Sequence, residues 1–210
     1  MPDHAGSTFY YPNLYAHILL KAMEEIVGRT GIHAILNTSG QSALINHYPP
    51  ADMEKVLPYE SISKLMIALE EVYGTLGGRG LAIRSGRACF RYGLRELGDD
   101  LGLTDQTFKL LPLNDKIRRG ANILAEAFKQ HTDQRIRFDE DYQHYYLHIE
   151  NCPLCWKRVT SIPVCYLGVG VLQEGLYWIS SGKFFAVEET LCAAKGDPNC
   201  TIRIGKEPFD

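Results

Sequence analysis

Residues 163–200 read PVCYLGVGVLQEGLYWISSGKFFAVEETLCAAKGDPNC, a proline-led helix, a strand, and a loop dense in metal-binding side chains. Pro163 stands at a first-turn position, where its missing N–H costs no hydrogen bond, and the helix is expected to run from there to about Ser180. Gly182-Lys183 turns the chain into a strand, Phe184 to Glu189. A short loop around Lys195-Gly196-Asp197-Pro198 leads to a last strand, Cys200 to Ile204. The helix carries Gly168, Gly170 and Gly175, each costing up to about 1 kcal/mol against alanine. Such a cost is kept when something must approach the backbone closely. The sheet is the plainest candidate; a second subunit or a ligand are the others.

Upstream, the pattern is mostly helical. Tyr15, Leu19, Ala22, Met23 and Ile26 fall on one helical face, and Gly28 and Gly31 are expected to stop that helix. A Pro49-Pro50 break follows. A second helix is expected over Ser61–Tyr73, then a flexible link from Gly74 to Gly80. A third helix covers Gly86–Leu97, with Arg84, Arg87, Arg91 and Arg95 as a solvated or dimer-facing stripe, and a fourth covers Leu113–Gln130. Arg135–Phe138 and Tyr142–Ile149 read as two strands around the acidic turn Asp139-Glu140-Asp141. The second strand puts Tyr142, His144, Tyr146 and His148 on one face. These four are the candidate ligand-binding residues, able to hydrogen-bond a polar group on an otherwise apolar molecule. A histidine among them could also ligate haem iron; the plain alternative is a surface histidine or one satisfied within the strand. The expected class is α+β: a helix-rich N-terminal part packed on a small antiparallel sheet with an inserted glycine-rich helix.

Composition narrows the function. The chain has 210 residues, 45% of them apolar and 22% charged, as in ordinary globular domains. Its net charge of −3 excludes a broad electrostatic footprint for nucleic acid. No apolar run approaches the roughly 18 residues of a membrane span. The N-terminal residues lack the pattern of a secretory signal, and the first eight read as a loose tail. The expected setting is cytoplasmic and reducing. Of six cysteines, Cys152, Cys155, Cys165, Cys192 and Cys200 lie in the last 59 residues. Clustered thiols in a reducing compartment point to metal binding or redox work rather than to disulfides.

Glu189, Cys192 and Cys200 form E-x2-C-x7-C across a strand end, a loop and the next strand start. A short loop of this kind brings three donors to one point, and zinc takes about four in a tetrahedron. Cys165, at the start of the glycine-rich helix, is a plausible fourth, because a helix N-terminus favours thiolate. Four protein donors close the shell, so such a zinc is structural rather than catalytic. Cys152-Pro153-Leu154-Cys155 leaves three readings open: free thiols in a turn near the metal, alternative or additional metal ligands, or a redox pair. If this pair joined Cys192 and Cys200, Cys165 and Glu189 would be displaced.

The run Pro163-Val164-Cys165, the glycine-rich helix and E-x2-C-A-A-x-G-D-x-x-C resemble the 4-vinyl reductase, or hydrocarbon-binding, domain. That family includes bacteriochlorophyll-biosynthesis proteins and the phenol- and toluene-sensing regions of bacterial activators. The motif match covers about residues 145–205. Its fold is similar to small TRAPP-complex subunits and, more distantly, to haem-based nitric-oxide sensors. The resemblance implies a zinc held by Cys165, Glu189, Cys192 and Cys200, an enclosed apolar pocket between helices and sheet, and a homodimer. It divides the chain into residues 1–110, a helix-rich part for dimerisation and pocket lid, and residues 111–210, the ligand- and zinc-binding part. Unlike the activators, this chain has no ATPase or DNA-binding region, and the sensors lack its C-x2-C.

No P-loop, dinucleotide fingerprint or nucleophile elbow is present, which argues against autonomous reductase activity, and no catalytic residue is assigned. The expected function is a soluble sensor or carrier for an apolar or aromatic molecule with a structural zinc. The alternatives are an accessory protein or enzyme of tetrapyrrole metabolism, including a haem binder, and a protein-interaction scaffold. Fold analogy alone is a weak warrant for choosing among them.

Overall fold

The computed structural model describes residues 9–209, and the tail expected over the first eight residues lies outside them. Strand β1 (Tyr10–Pro12) leads into helix α1 (Asn13–Thr38); β2 (Lys55–Pro58) pairs antiparallel with β1 and leads into α2 (Tyr59–Leu97). A short α3 (Gln106–Lys109) and a long α4 (Leu113–His131) precede the hairpin β3 (Arg135–Glu140) and β4 (His144–Glu150). Helix α5 (Tyr166–Ile179), β5 (Phe184–Leu191) and β6 (Cys200–Phe209) complete the chain. The four C-terminal strands form one antiparallel sheet in the order β3-β4-β6-β5. This is the expected α+β arrangement, with α5 inserted between β4 and β5.

Two glycines act differently from the expectation. Gly28 interrupts α1 with φ 72° and ψ 169°, and Gly74 interrupts α2 with φ 73° and ψ 160°. Each is a one-residue break, after which the helix resumes in a new direction. Glycine alone adopts that backbone without a Cβ penalty. The residues that follow Gly74 therefore form helix, not a flexible link. Helix continues there because the apolar side chains on the far side of the break pack: Leu81 and Ala82 join the core of Leu19, Leu20, Met23, Ile35, Leu65 and Leu69.

The glycines of α5 are explained by α2. A β-carbon on Gly170 would strike the backbone carbonyl of Ile83, and one on Gly86 would strike that of Leu167. The two helices thus cross backbone to backbone, and neither contact can be relieved by a rotamer change. Gly175 makes room for the Phe90 ring, 3.1 Å from where its β-carbon would be. Close helix–helix approach, rather than the sheet, accounts for two of the three glycines that the sequence singled out. Residues on both sides of position 110 build the same interior, since α2 packs on α5.

On its other face α5 covers the sheet, where Leu176 meets Tyr145, Leu147, Phe185 and Ile204. Tyr145 and Leu147 are therefore the inward side chains of β4.

Candidate metal centre and apolar cavity

Five cysteines converge at the end of the sheet. Cys152 caps and Cys155 ends a single 3-10 turn, Pro153–Cys155, after β4. Cys165 is the N-cap of α5, Glu189 lies on β5, Cys192 follows β5, and Cys200 begins β6. All five thiols are free and buried, at most 3% exposed. The Sγ atoms of Cys152 and Cys165 are 3.6 Å apart, those of Cys155 and Cys200 3.4 Å, those of Cys165 and Cys200 3.8 Å, and those of Cys165 and Cys192 4.0 Å. A tetrahedral zinc with Zn–S bonds of about 2.3 Å sets its sulfurs about 3.8 Å apart, whereas a disulfide sets them about 2.05 Å apart. These four distances are near the edge of a metal tetrahedron and far from a disulfide bond.

Local backbone contacts hold the donors. Glu189 Oε2 accepts the N–H of Cys165 at 2.6 Å, and Asp197 Oδ2 accepts the N–H of Cys192 at 2.8 Å. Gly196, with φ 96°, closes the loop in the left-handed region that favours glycine. The N–H of Ala193 points at Cys200 Sγ, 3.4 Å away, where it favours a thiolate. Glu189 Oε1 is buried with no hydrogen-bond partner. Burial raises the Glu189 carboxyl above its ordinary range, and the Cys165 N–H pulls it back in part. Neighbouring thiols, and then burial, push Cys165 and Cys200 well up. A dication at this point reverses that tendency by deprotonating the thiols it binds.

The four residues expected from sequence, Cys165, Glu189, Cys192 and Cys200, have their donor atoms within 4.8 Å of one another. So do Cys152, Cys155, Cys165 and Cys200. The C-x2-C pair therefore lies beside Cys165 and Cys200, in a group of four that does not include Glu189 or Cys192.

The second feature is a chain of voids between α2, α4, α5 and the sheet. One, of about 140 Å³, is lined by residues including Ile18, Phe90, Leu94, Leu124, Phe128 and Val171. Another, of about 90 Å³, lies among Ile117, Leu124, Leu172, Leu176, Trp178 and Ile204. A third, of about 100 Å³, reaches from Leu124 and Leu147 to Cys152 and Cys165. Leu124 and Val171 line all three. The lining residues that carry polar side-chain atoms include Tyr11, Tyr15, Cys89, Gln134, Cys152 and Cys165. Burial raises the Tyr15 phenol and the Cys89 thiol to about 12, so both are neutral.

The structure places the ligand-binding set expected on β4, Tyr142, His144, Tyr146 and His148, away from these voids. Tyr142 lies in the turn before the strand and is 95% exposed, and His144, Tyr146 and His148 line none of these three voids. They occupy the outer face and satisfy one another's surroundings: Tyr146 Oη donates to Asp141 Oδ2 at 2.7 Å, and His148 Nδ1 lies 2.9 Å from Thr201 Oγ1. Both faces of this strand alternate acceptably, and the helices cover the face of Tyr145 and Leu147. Sequence reasoning did not assign Leu124, Phe90, Val171 and Leu172 to a ligand site, because their apolar character looks like ordinary core.

No protein-family model matches the chain, and no curated protein matches it. Solved structures do. A Cs H-NOX variant carrying 4-cyano-L-phenylalanine is 11% identical, with 94% of this chain and 98% of that chain covered and a TM-score of 0.62. A doubly substituted Tt H-NOX is 12% identical over 95% and 97%, at 0.59. The Fe(II) unliganded H-NOX protein from K. algicida is 11% identical over 95% and 97%, at 0.58. At this identity the likeness shows a shared α+β fold. The phenol-responsive sensory domain of the transcription activator PoxR is 20% identical over 69% of this chain and 73% of that one, but its TM-score of 0.47 carries no weight. Among the described residues no helix is long and apolar enough to cross a membrane.

Proposed function

We propose that this chain is a small-molecule sensor or carrier module for a compact apolar or aromatic ligand, stabilised by zinc in the cysteine corner. The observation that carries the reading is the void of about 140 Å³ with an almost wholly apolar lining. A cavity near 150 Å³ lined by Leu, Ile and Phe stays dry and takes a molecule of about benzene size. The resemblance to the hydrocarbon-binding domain family points to the same ligand class. In this reading Cys165, Glu189, Cys192 and Cys200 hold a structural zinc that pins α5 to the sheet. The module works as a homodimer in the cytoplasm, with residues 1–110 supplying the lid and the dimer face.

A tetrapyrrole is the second reading, favoured by the breadth of the H-NOX likeness, since that K. algicida protein is described with Fe(II). The lining argues for the smaller ligand. Haem iron takes an axial His, Cys, Met or Tyr. No histidine lines the three voids, their tyrosines and Cys89 are neutral groups, and the other two lining cysteines, Cys152 and Cys165, belong to the metal corner. A macrocycle would have to part the helices.

The test is native mass spectrometry of the untreated protein, together with thermal melts in phenol, toluene and haem. Zinc on a dimer and a rise in melting temperature with phenol or toluene support the proposal. A haem adduct with a Soret band, and no response to the small aromatics, overturns it.

A further inference from the structure

We infer that the cysteine corner is built for two metal ions that share Cys165 and Cys200 as bridging thiolates. The inference deepens the metal part of the proposed function and does not depend on the ligand. Six donors meet here, five thiols and the Glu189 carboxylate, which is more than one tetrahedral ion takes. They fall into two groups of four, and the groups overlap in Cys165 and Cys200 alone. Two tetrahedra that share one edge have six vertices. Every donor then has a place and none is left over.

The distances fit this arrangement. The shared edge, Cys165 Sγ to Cys200 Sγ, is 3.8 Å. On one side Cys152 lies 3.6 Å from Cys165, and Cys155 lies 3.4 Å from Cys200. On the other side Cys192 lies 4.0 Å from Cys165. All are close to the tetrahedral edge of about 3.8 Å. The sequence shows the same symmetry: each ion takes one terminal pair spaced by two residues, Cys152-x2-Cys155 or Glu189-x2-Cys192.

A single ion leaves this corner incomplete. On the four cysteines Cys152, Cys155, Cys165 and Cys200 it leaves Glu189 buried, with Oε1 unpartnered, and burying such an oxygen without a partner is costly. On Cys165, Glu189, Cys192 and Cys200 it leaves two buried thiols against bound thiolates. Two dications against five thiolates and one carboxylate leave a charge of −2. One dication on either set of four anionic donors leaves the same. The second ion therefore adds no electrostatic burden while it uses every donor. The chemical class is a thiolate-loving divalent ion such as Zn²⁺.

The test is a metal count on the full chain expressed with zinc and dialysed, followed by exchange with ¹¹³Cd²⁺. The expected result is two ions per chain and two cadmium resonances split by coupling through the shared sulfurs. The double variant Cys152→Ala/Cys155→Ala should fall from two ions to one and keep one resonance. Glu189→Gln/Cys192→Ala should do the same and keep the other. One ion per chain in the unaltered protein, or two resonances without mutual coupling, overturns the inference. No ion at all overturns it together with the structural zinc. The response to phenol is read separately, so failure here is distinguishable from failure of the ligand reading. The count on the unaltered chain decides the matter even where a variant fails to fold.

Discussion

The cysteine corner and the apolar voids sit on one helix and are opposites in packing. At the N-terminus of α5, Cys165 lies among more donors than a single ion needs, with sulfurs 3.4–4.0 Å apart. Along its body, Val171, Leu172, Gly175 and Leu176 border space that side chains do not fill. A helix fixed at one end and loosely packed along its length suits a ligand module: the fold is held by one region, and the other keeps room. The void of about 100 Å³ lined by both Cys152 and Leu124 brings the two regions together.

Four experiments break or sharpen this contrast. The largest effect belongs to Cys165→Ser, which removes a donor common to both groups of four. Structural zinc contributes apparent binding energies of about 10–16 kcal/mol in small zinc domains. We expect the variant to lose its cooperative melt, as should the unaltered chain in strong chelator. A melt within a few degrees of the original would mean that the corner is dispensable.

Next is Gly170→Ala, on the same helix but away from the metal. Its methyl meets the Ile83 carbonyl, so the helices must separate, at an expected cost of about 2–4 kcal/mol. Urea unfolding measures it. A change below about 0.5 kcal/mol, the range of ordinary surface substitutions, would show that the α2–α5 crossing is soft.

Third, phenol or toluene at about one hundred times its dissociation constant should stabilise the chain by about 2.7 kcal/mol. At about 2–4 °C per kcal/mol this is a rise of roughly 5–10 °C. Leu124→Trp places a larger ring in space that all three voids share and should abolish the rise. If the variant responds as the original does, the ligand binds elsewhere.

The smallest effect tests the outer face of β4. Burial, and then the Arg137 charge, lower the His148 pKa below its ordinary value. The folded state therefore binds this proton less well than the unfolded chain. The resulting stability is full above the unfolded pKa of about 6.5 and is lost as pH falls through the lower folded value. NMR titration of the imidazole should give a midpoint below that of an unfolded peptide. His148→Gln should leave the response to phenol intact; a lost response would return this face to the ligand site.

Much of this was legible locally. The helical pattern over Leu113–Gln130 marked α4, and the loop from Glu189 to Cys200 marked the corner, because both signals lie within a few turns of chain. The faces of β4 were not legible. Tyr142, His144, Tyr146 and His148 alternate as regularly as Gln143, Tyr145, Leu147 and Ile149, and a period of two does not say which set meets a helix. Nor did Gly74 to Gly80 announce helix: glycine permits both a link and a sharp break, and packing beyond the break chose the second.

The sequence by itself determined the helix and strand types from α4 onward, the α+β class and the donors close along the chain, because backbone propensity, turn chemistry and short spacing act over a few residues. Tertiary structure decided that Cys152 and Cys155 meet Cys165 and Cys200, that Leu147 and not His148 faces inward, and that the space around Leu124 stays unfilled. These outcomes depend on where α5 and α2 cross. That crossing is set by two glycines 84 positions apart, whose missing side chains let the backbones touch.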